Sequence, residues 1–151
     1  MDRLSSAYLG GMAIRGCVVE RPPLYLIDWL SSLGYYRGEV VELPKKYCRY
    51  SPVTLLEHIY FLKGVFETHG DVAGDVHTKN IVIFFKWSKK LLKSLKLLNI
   101  NILETINEDK TERFIVIYQK RDIKKFLKIV KPVVENPILA EALGLCRRST
   151  L

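Results

Sequence analysis

The densest supply of reactive side chains in this sequence is FLKGVFETHGDVAGDVH, residues 61–77, which holds Glu67, His69, Asp71, Asp75 and His77. Carboxylates gathered at one point can hold Mg²⁺ and, through it, a water that attacks a phosphodiester. Imidazoles suit a softer transition metal. A His69–Asp71–His77 set can be drawn for such a metal, but its spacing matches no standard site. Turn chemistry accounts for Asp71 and Asp75 more simply. Glu67 stands two residues before His69 and would point about 200° away from it on a helix of ~3.6 residues per turn. Glu67 and Asp71 are thus the residual acids on which metal chemistry would have to rest.

The elements around this stretch are legible from period and punctuation. Residues 58–69 read as an apolar helix ending at Gly70, followed by a short strand near 71–73 and a turn at Gly74 and Asp75. KNIVIFFKW (79–87) reads as a strand. Ser88 caps a helix with Leu91, Leu92, Leu95 and Leu98 on one face. Strands are expected at about 100–106 and 112–119. Asp122 should cap a helix that buries Ile123, Phe126, Leu127 and Val130, Pro132 stops it, and Pro137 opens a last helix. The first half carries the same order in compressed form. A helix over 4–15 precedes a strand in GCVVE, then a helix in PPLYLIDWLSSLG, and then a strand pair, YYRGEVVEL with KYCRY, around Pro44. Gly10 matches Gly64 at an offset of 54, while Gly34 matches Asn99 at 65. The 11-residue difference equals one strand and a turn, so the first repeat has lost one arm of its first hairpin. The organisation expected is one domain of two repeats, 4–57 and 58–131, with a helical extension over 132–151.

With 151 residues, 48% hydrophobic and 26% charged, the chain has the composition of a globular protein with one core or two small ones. No apolar run approaches the ~20 residues of a membrane span, and the N-terminus lacks a continuous apolar signal core. The expected location is cytoplasmic, with no membrane partner. Cys17, Cys48 and Cys146 form no CxxC pair, so reduced, mostly buried thiols are expected. The net charge of +8 is uneven: residues 1–70 hold 8 basic and 7 acidic side chains, residues 71–151 hold 16 and 9. A basic half attracts nucleic acid by counterion release, or is only a solvated surface. Lysine- and isoleucine-rich text with a single glutamine points to a thermophile.

Two segments bring these readings together. YLGGMAIRG (8–16) and LKGVFETHG (62–70) each keep two glycines six apart, Gly10 with Gly16 and Gly64 with Gly70. Both resemble degenerate copies of the motif that names the LAGLIDADG homing-endonuclease family, and the resemblance runs over residues 4–131. It implies an α+β fold of two unequal pseudo-symmetric repeats, with paired motif helices and antiparallel sheets forming a saddle. Gly10, Gly11 and Gly64 would let the helix backbones approach closely, because glycine inside a helix otherwise costs ~1 kcal/mol. The neighbouring Gly11 leaves room for a register one residue along.

The resemblance also implies metal-binding acids at the ends of the motif helices, and in this sequence those positions are Arg15 and His69. Arginine stays protonated and cannot ligate, and histidine suits a hard cation poorly. The expectation is a scaffold without metal, cofactor or catalytic residues. Arg15 and His69 then either hold phosphate directly or are surface residues left over from lost chemistry. Other nucleic-acid contacts are expected at Arg37, Lys45, Lys46, Arg49, Arg113 and Gln119. The helix lysines should face solvent. NIVIFFKW is apolar on both faces, which is thin for base reading but suits a covered surface. The leading function is DNA or RNA binding. A protein-docking module or homodimer is the alternative, and a metal-dependent endonuclease comes third.

Overall fold

At the centre of the computed structural model two helices lie side by side: α1 (Arg3–Met12) from the first half and α4 (Leu55–His69) from the second. The structure describes residues 1–75, 77 and 80–145. Both helices begin on a side-chain cap, which satisfies backbone N–H groups that the first turn leaves open. Asp2 accepts from Ser5 N at 2.7 Å, and Thr54 and Glu57 form a reciprocal capping box. That box starts α4 at Leu55, three residues before the expected position.

The seam is glycine against backbone. A Cβ on Gly11 would collide with the Phe61 carbonyl oxygen, and one on Gly64 with the Tyr8 carbonyl oxygen. Tyr8 and Phe61 each stand three residues before a seam glycine, so the symmetry-related pair is Gly11 and Gly64, an offset of 53. This corrects the Gly10–Gly64 register. Gly10 turns instead to the ring of Tyr50, which stacks on Phe61 at 6.3 Å.

Each motif helix covers its own antiparallel sheet. In the first half β1 (Val18–Val19), β2 (Tyr36–Arg37) and β3 (Val40–Glu42) form the order β1-β3-β2. Between β1 and β2 lie a 3₁₀ turn (Leu24–Leu26) and α2 (Ile27–Ser32). Their core is Leu9, Met12, Val19, Leu30, Val41 and neighbours. In the second half β4 (Asp71–Asp75), β5 (Asn80–Lys86), β6 (Leu103–Ile106) and β7 (Arg113–Ile117) form the order β4-β5-β7-β6. Helices α5 (Lys89–Leu97) and α6 (Lys120–Val130) pack with α4 on one face of this sheet around Phe61, Phe66, Phe85 and Phe126. The pairings of β1, β3 and β2 repeat those of β5, β7 and β6. Among the described residues nothing in the first half corresponds to β4, the missing hairpin arm.

Several local expectations are corrected. Lys45–Cys48 is a helical turn, α3, not a strand: Pro44 precedes it with φ −56°, which favours a helix start. Strand β4 runs through Gly74 to Asp75, so the turn comes later, where Asp75 Oδ1 accepts from His77 N at 2.9 Å. Asp122 is not the cap of α6. Gln119 holds that place, and Asp122 is buried in the first turn, accepting from Asn101 N at 3.1 Å. The lysines of α5 and α6 are not all idle, since Lys90 and Lys125 bond the carbonyls of Tyr50 and Asn99. Cys17 and Cys48 are joined as a disulfide with Cα atoms 5.5 Å apart, contrary to the reduced thiols expected. Folding brings together two cysteines 31 residues apart. Cys146 lies outside the described residues. Helix α7 (Pro137–Ala142) is capped by Asn136. No helix of the described residues is long and apolar enough to cross a membrane.

Candidate nucleic-acid interface at the ends of the motif helices

Counting on from Gly11 and Gly64, the counterpart of His69 is Gly16, and Arg15 corresponds to Thr68. By that count the first acid position that the resemblance implies would fall on Gly16, beside Arg15. Helix α1 ends at Met12, and the chain leaves through Gly16 at φ 129°, a conformation open to glycine. Arg15 extends from this exit turn, exposed, and its Nη1 donates to the Trp87 carbonyl at 3.4 Å.

His69 closes α4 and reaches across the seam. Its Nε2 lies 2.9 Å from the Met12 carbonyl oxygen. A carbonyl only accepts, so Nε2 carries the proton and Nδ1 is the free nitrogen. Burial lowers the pKa of His69 below its ordinary value. The bond to Met12 opposes that shift, while the charges of Arg15 and Lys86 reinforce it. His69 is thereby biased toward its neutral form and bridges the ends of the two motif helices.

Glu67 does point away from His69, and its role is structural. Its side chain is 1% exposed. It accepts from the Tyr8 hydroxyl at 2.7 Å, from the Tyr25 hydroxyl, and from Val133 N at 2.7 Å. Burial, with the adjacent carboxylate, pushes both phenols far above their ordinary pKa, so both remain donors. One carboxylate thus ties α1, the 3₁₀ turn, α4 and the C-terminal extension together.

Around the helix ends lies a cleft of about 290 Å³ whose charged lining is Arg15, Arg21, Lys86 and Asp71, with His69 beside them. A second hollow continues from Arg15 and Lys86 past Trp87 to Arg113. Arg21 and Lys86 were missed from the sequence, although the outward parity of Phe84 and Lys86 in β5 is visible there. Arg113 sits 4.1 Å over the Trp87 ring and 3.5 Å from Glu104, so it is already partnered. Gln119 donates to the Tyr118 hydroxyl at 3.4 Å. Arg37 is exposed on β2, on the face opposite the first core. Lys45, Lys46 and Arg49 lie in or just after α3 instead of on a strand, and Lys46 covers the Tyr47 ring. The expected basic residues are therefore not gathered into one site. Arg15 and His69 are gathered, joined by Arg21, Lys86 and Asp71.

The divalent metal that the family resemblance implies does not fit these donors. Mg²⁺ takes a cage of oxygens. Here Gly16 offers none, His69 has one nitrogen committed, Glu67 is engaged elsewhere, and Asp71 is the one carboxylate among three cations. Among the described residues no group of three or more His, Cys, Asp or Glu side chains is placed to hold a metal ion. The arrangement is chemically suited to an anion.

Residues 57–131 match the family described as LAGLIDADG-like domain. Among solved structures, the N-terminal LAGLIDADG domain of DUF199/WhiA is 17% identical at a TM-score of 0.67, covering 89% of this chain and 86% of that one. Full-length DUF199/WhiA from Thermatoga maritima is 17% identical at 0.62, covering 93% and 61%. I-DmoI in complex with DNA and Mn is 17% identical at 0.57, covering 87% and 99%. No curated protein matches the chain. The family match spans the second repeat and the structural likeness spans both: the chain carries a LAGLIDADG-like domain within a fold of the LAGLIDADG homing-endonuclease type.

Proposed function

We propose that this protein binds nucleic acid at the cleft where the motif helices end, without a metal ion and without cutting the strand. The observation that carries this reading is the convergence of Arg15, Arg21 and Lys86 on that cleft, with one carboxylate among them. Guanidinium and ammonium groups hold phosphate oxygens by charge-assisted hydrogen bonds, and such contacts position a strand without reading its bases. Support also comes from I-DmoI, a protein of the same fold seen in complex with DNA.

The test is a fluorescence-anisotropy titration with duplex DNA, single-stranded DNA and structured RNA at two salt concentrations. Affinity should fall steeply with salt, by a log–log slope of ~0.7–0.9 per phosphate contact, and EDTA should leave it unchanged. Arg15→Ala should weaken binding to all sequences alike. Absence of saturable binding to any of the three at low salt would overturn the reading. Supercoiled plasmid with Mg²⁺ or Mn²⁺ tests cleavage separately. The control is Asp71→Asn, because Glu67 is a structural hub. Nicking that this substitution abolishes would restore a metal-dependent nuclease.

A further inference from the structure

Strand alternation splits the second sheet into two unlike faces. Ile83, Phe85, Ile115 and Ile117 turn toward α4, α5 and α6 and make the core, and Ile81 on the same face is buried too. Val82, Phe84, Phe114 and Val116 turn the other way and belong to neither core, although β5 and β7 are the two central strands. Phe84 faces Val116 across the ladder and Lys86 faces Phe114, which leaves the two phenylalanine rings diagonal, with centroids 6.1 Å apart. On β6, Leu103 and Thr105 lie opposite Val116 and Phe114 and extend the same face. A purely structural sheet turned toward water would carry polar residues at these positions.

We propose that this face is a stacking platform for unpaired bases of a single-stranded nucleic acid, with Phe84 and Phe114 as the stacking rings and Lys86 as the adjoining phosphate contact. The inference rests on the nucleic-acid reading above and names the form of the ligand. A phenylalanine ring offers only apolar area and a π-face, so what it selects is flat and weakly hydrated. A duplex keeps its base faces stacked inside and presents phosphate, whereas an unpaired strand can lay its bases on aromatic rings. Charge points the same way. Asp71 lies opposite Phe84 and Asp75 opposite Asn80, on edge strand β4. Cations gather at the Lys86 end of the face, because Lys86 also lines the cleft with Arg15 and Arg21, where Asp71 is the one carboxylate. The partner of Lys86 is Glu112 at 3.7 Å, with both side chains about half exposed, a pair weak enough to exchange for phosphate. The platform is thus continuous with the basic cleft, bases over the sheet and backbone toward the helix ends.

The experiment compares a short oligouridylate, the same strand made abasic, and a duplex of equal length, titrated against the intact chain and against Phe84→Ala, Phe114→Ala and Phe84→Leu. The platform requires the oligouridylate to bind more tightly than the abasic strand. Each alanine substitution should cost roughly 5- to 150-fold in its affinity, with little effect on the duplex. Phe84→Leu should lose most of what Phe84→Ala loses, because leucine keeps apolar area but not the π-face. Thermal melting of each variant checks that it folds. Equal binding of abasic and base-bearing strands, or duplex binding with no single-strand preference, would overturn the platform and leave the nucleic-acid reading standing. No binding to any probe would overturn both. If Phe84→Ala instead dissolves a dimer seen by sedimentation, the face belongs to a second copy and the proposal fails.

Discussion

The Gly11–Gly64 seam makes a quantitative demand. In Gly64→Ala the new Cβ would meet the Tyr8 carbonyl group and the Met12 amide nitrogen at 3.1 Å, backbone atoms that cannot rotate aside. The helices must then separate or slide, which disturbs both cores, because α1 belongs to one and α4 to the other. Overpacking of this kind costs ~1–3 kcal/mol, while alanine returns up to ~1 kcal/mol of helix propensity. A net loss of ~1–2 kcal/mol is expected, which for a chain of this size lowers the melting midpoint by roughly 2–8 °C. Gly11→Ala should cost a similar amount, since its Cβ meets the Phe61 carbonyl and Val65 N in the symmetric place. The double variant should cost less than the sum, because one separation of the helices relieves both contacts. Gly10→Ala with Gly64→Ala should add more nearly, since Gly10 presses on Tyr50 instead. Calorimetry or circular dichroism melts of these variants provide the assay. A Gly64→Ala protein as stable as the parent, or strict additivity of the Gly11 and Gly64 changes, would refute the seam as described.

Glu67→Ala should destabilise by ~3–5 kcal/mol, because it strands the buried Tyr8 hydroxyl and the Val133 amide, and chemical denaturation will read the loss. Glu67→Gln should cost less and free the C-terminal extension first, visible as faster amide exchange at Val133. The depressed pKa of His69 makes folding pH-dependent in a defined sense: the unfolded imidazole takes a proton near ~6.5 before the folded one does. Its contribution is therefore fully present above pH ~6.5 and lost as pH falls from there toward the lower folded pKa. His58, also depressed by burial, adds to this slope. His69→Asn should flatten the stability–pH curve between pH 7 and 5, measured by denaturant midpoints. A slope equal to that of the parent would exclude His69 as a contributor.

The electrostatic potential across the two outward sheet faces is mixed in sign. On the second it is shaped by Asp71, Asp75 and Lys86, on the first by Arg37 and Glu42.

The sequence by itself determined the elements whose signals are local. The spacing of Leu91, Leu95 and Leu98, the cap at Ser88, the β-rich run through Phe85 and the glycines inside two apolar helices each speak within a turn or two of chain. The two-repeat order and the LAGLIDADG resemblance follow from these. What only the tertiary structure decided concerns residues far apart. The register of one helix on the other is set by where carbonyls meet missing Cβ atoms, so Gly11, not Gly10, pairs with Gly64. Glu67 finds Tyr8 at a separation of 59 and Val133 at 66, and Cys17 finds Cys48 at 31. Arg21 and Lys86 become neighbours of Arg15 only when the ends of two helices and two sheets converge. Periodicity tells which face of an element is buried; it carries no information on which distant residue that face will meet, and that meeting set Arg15, Arg21 and Lys86 around one cleft.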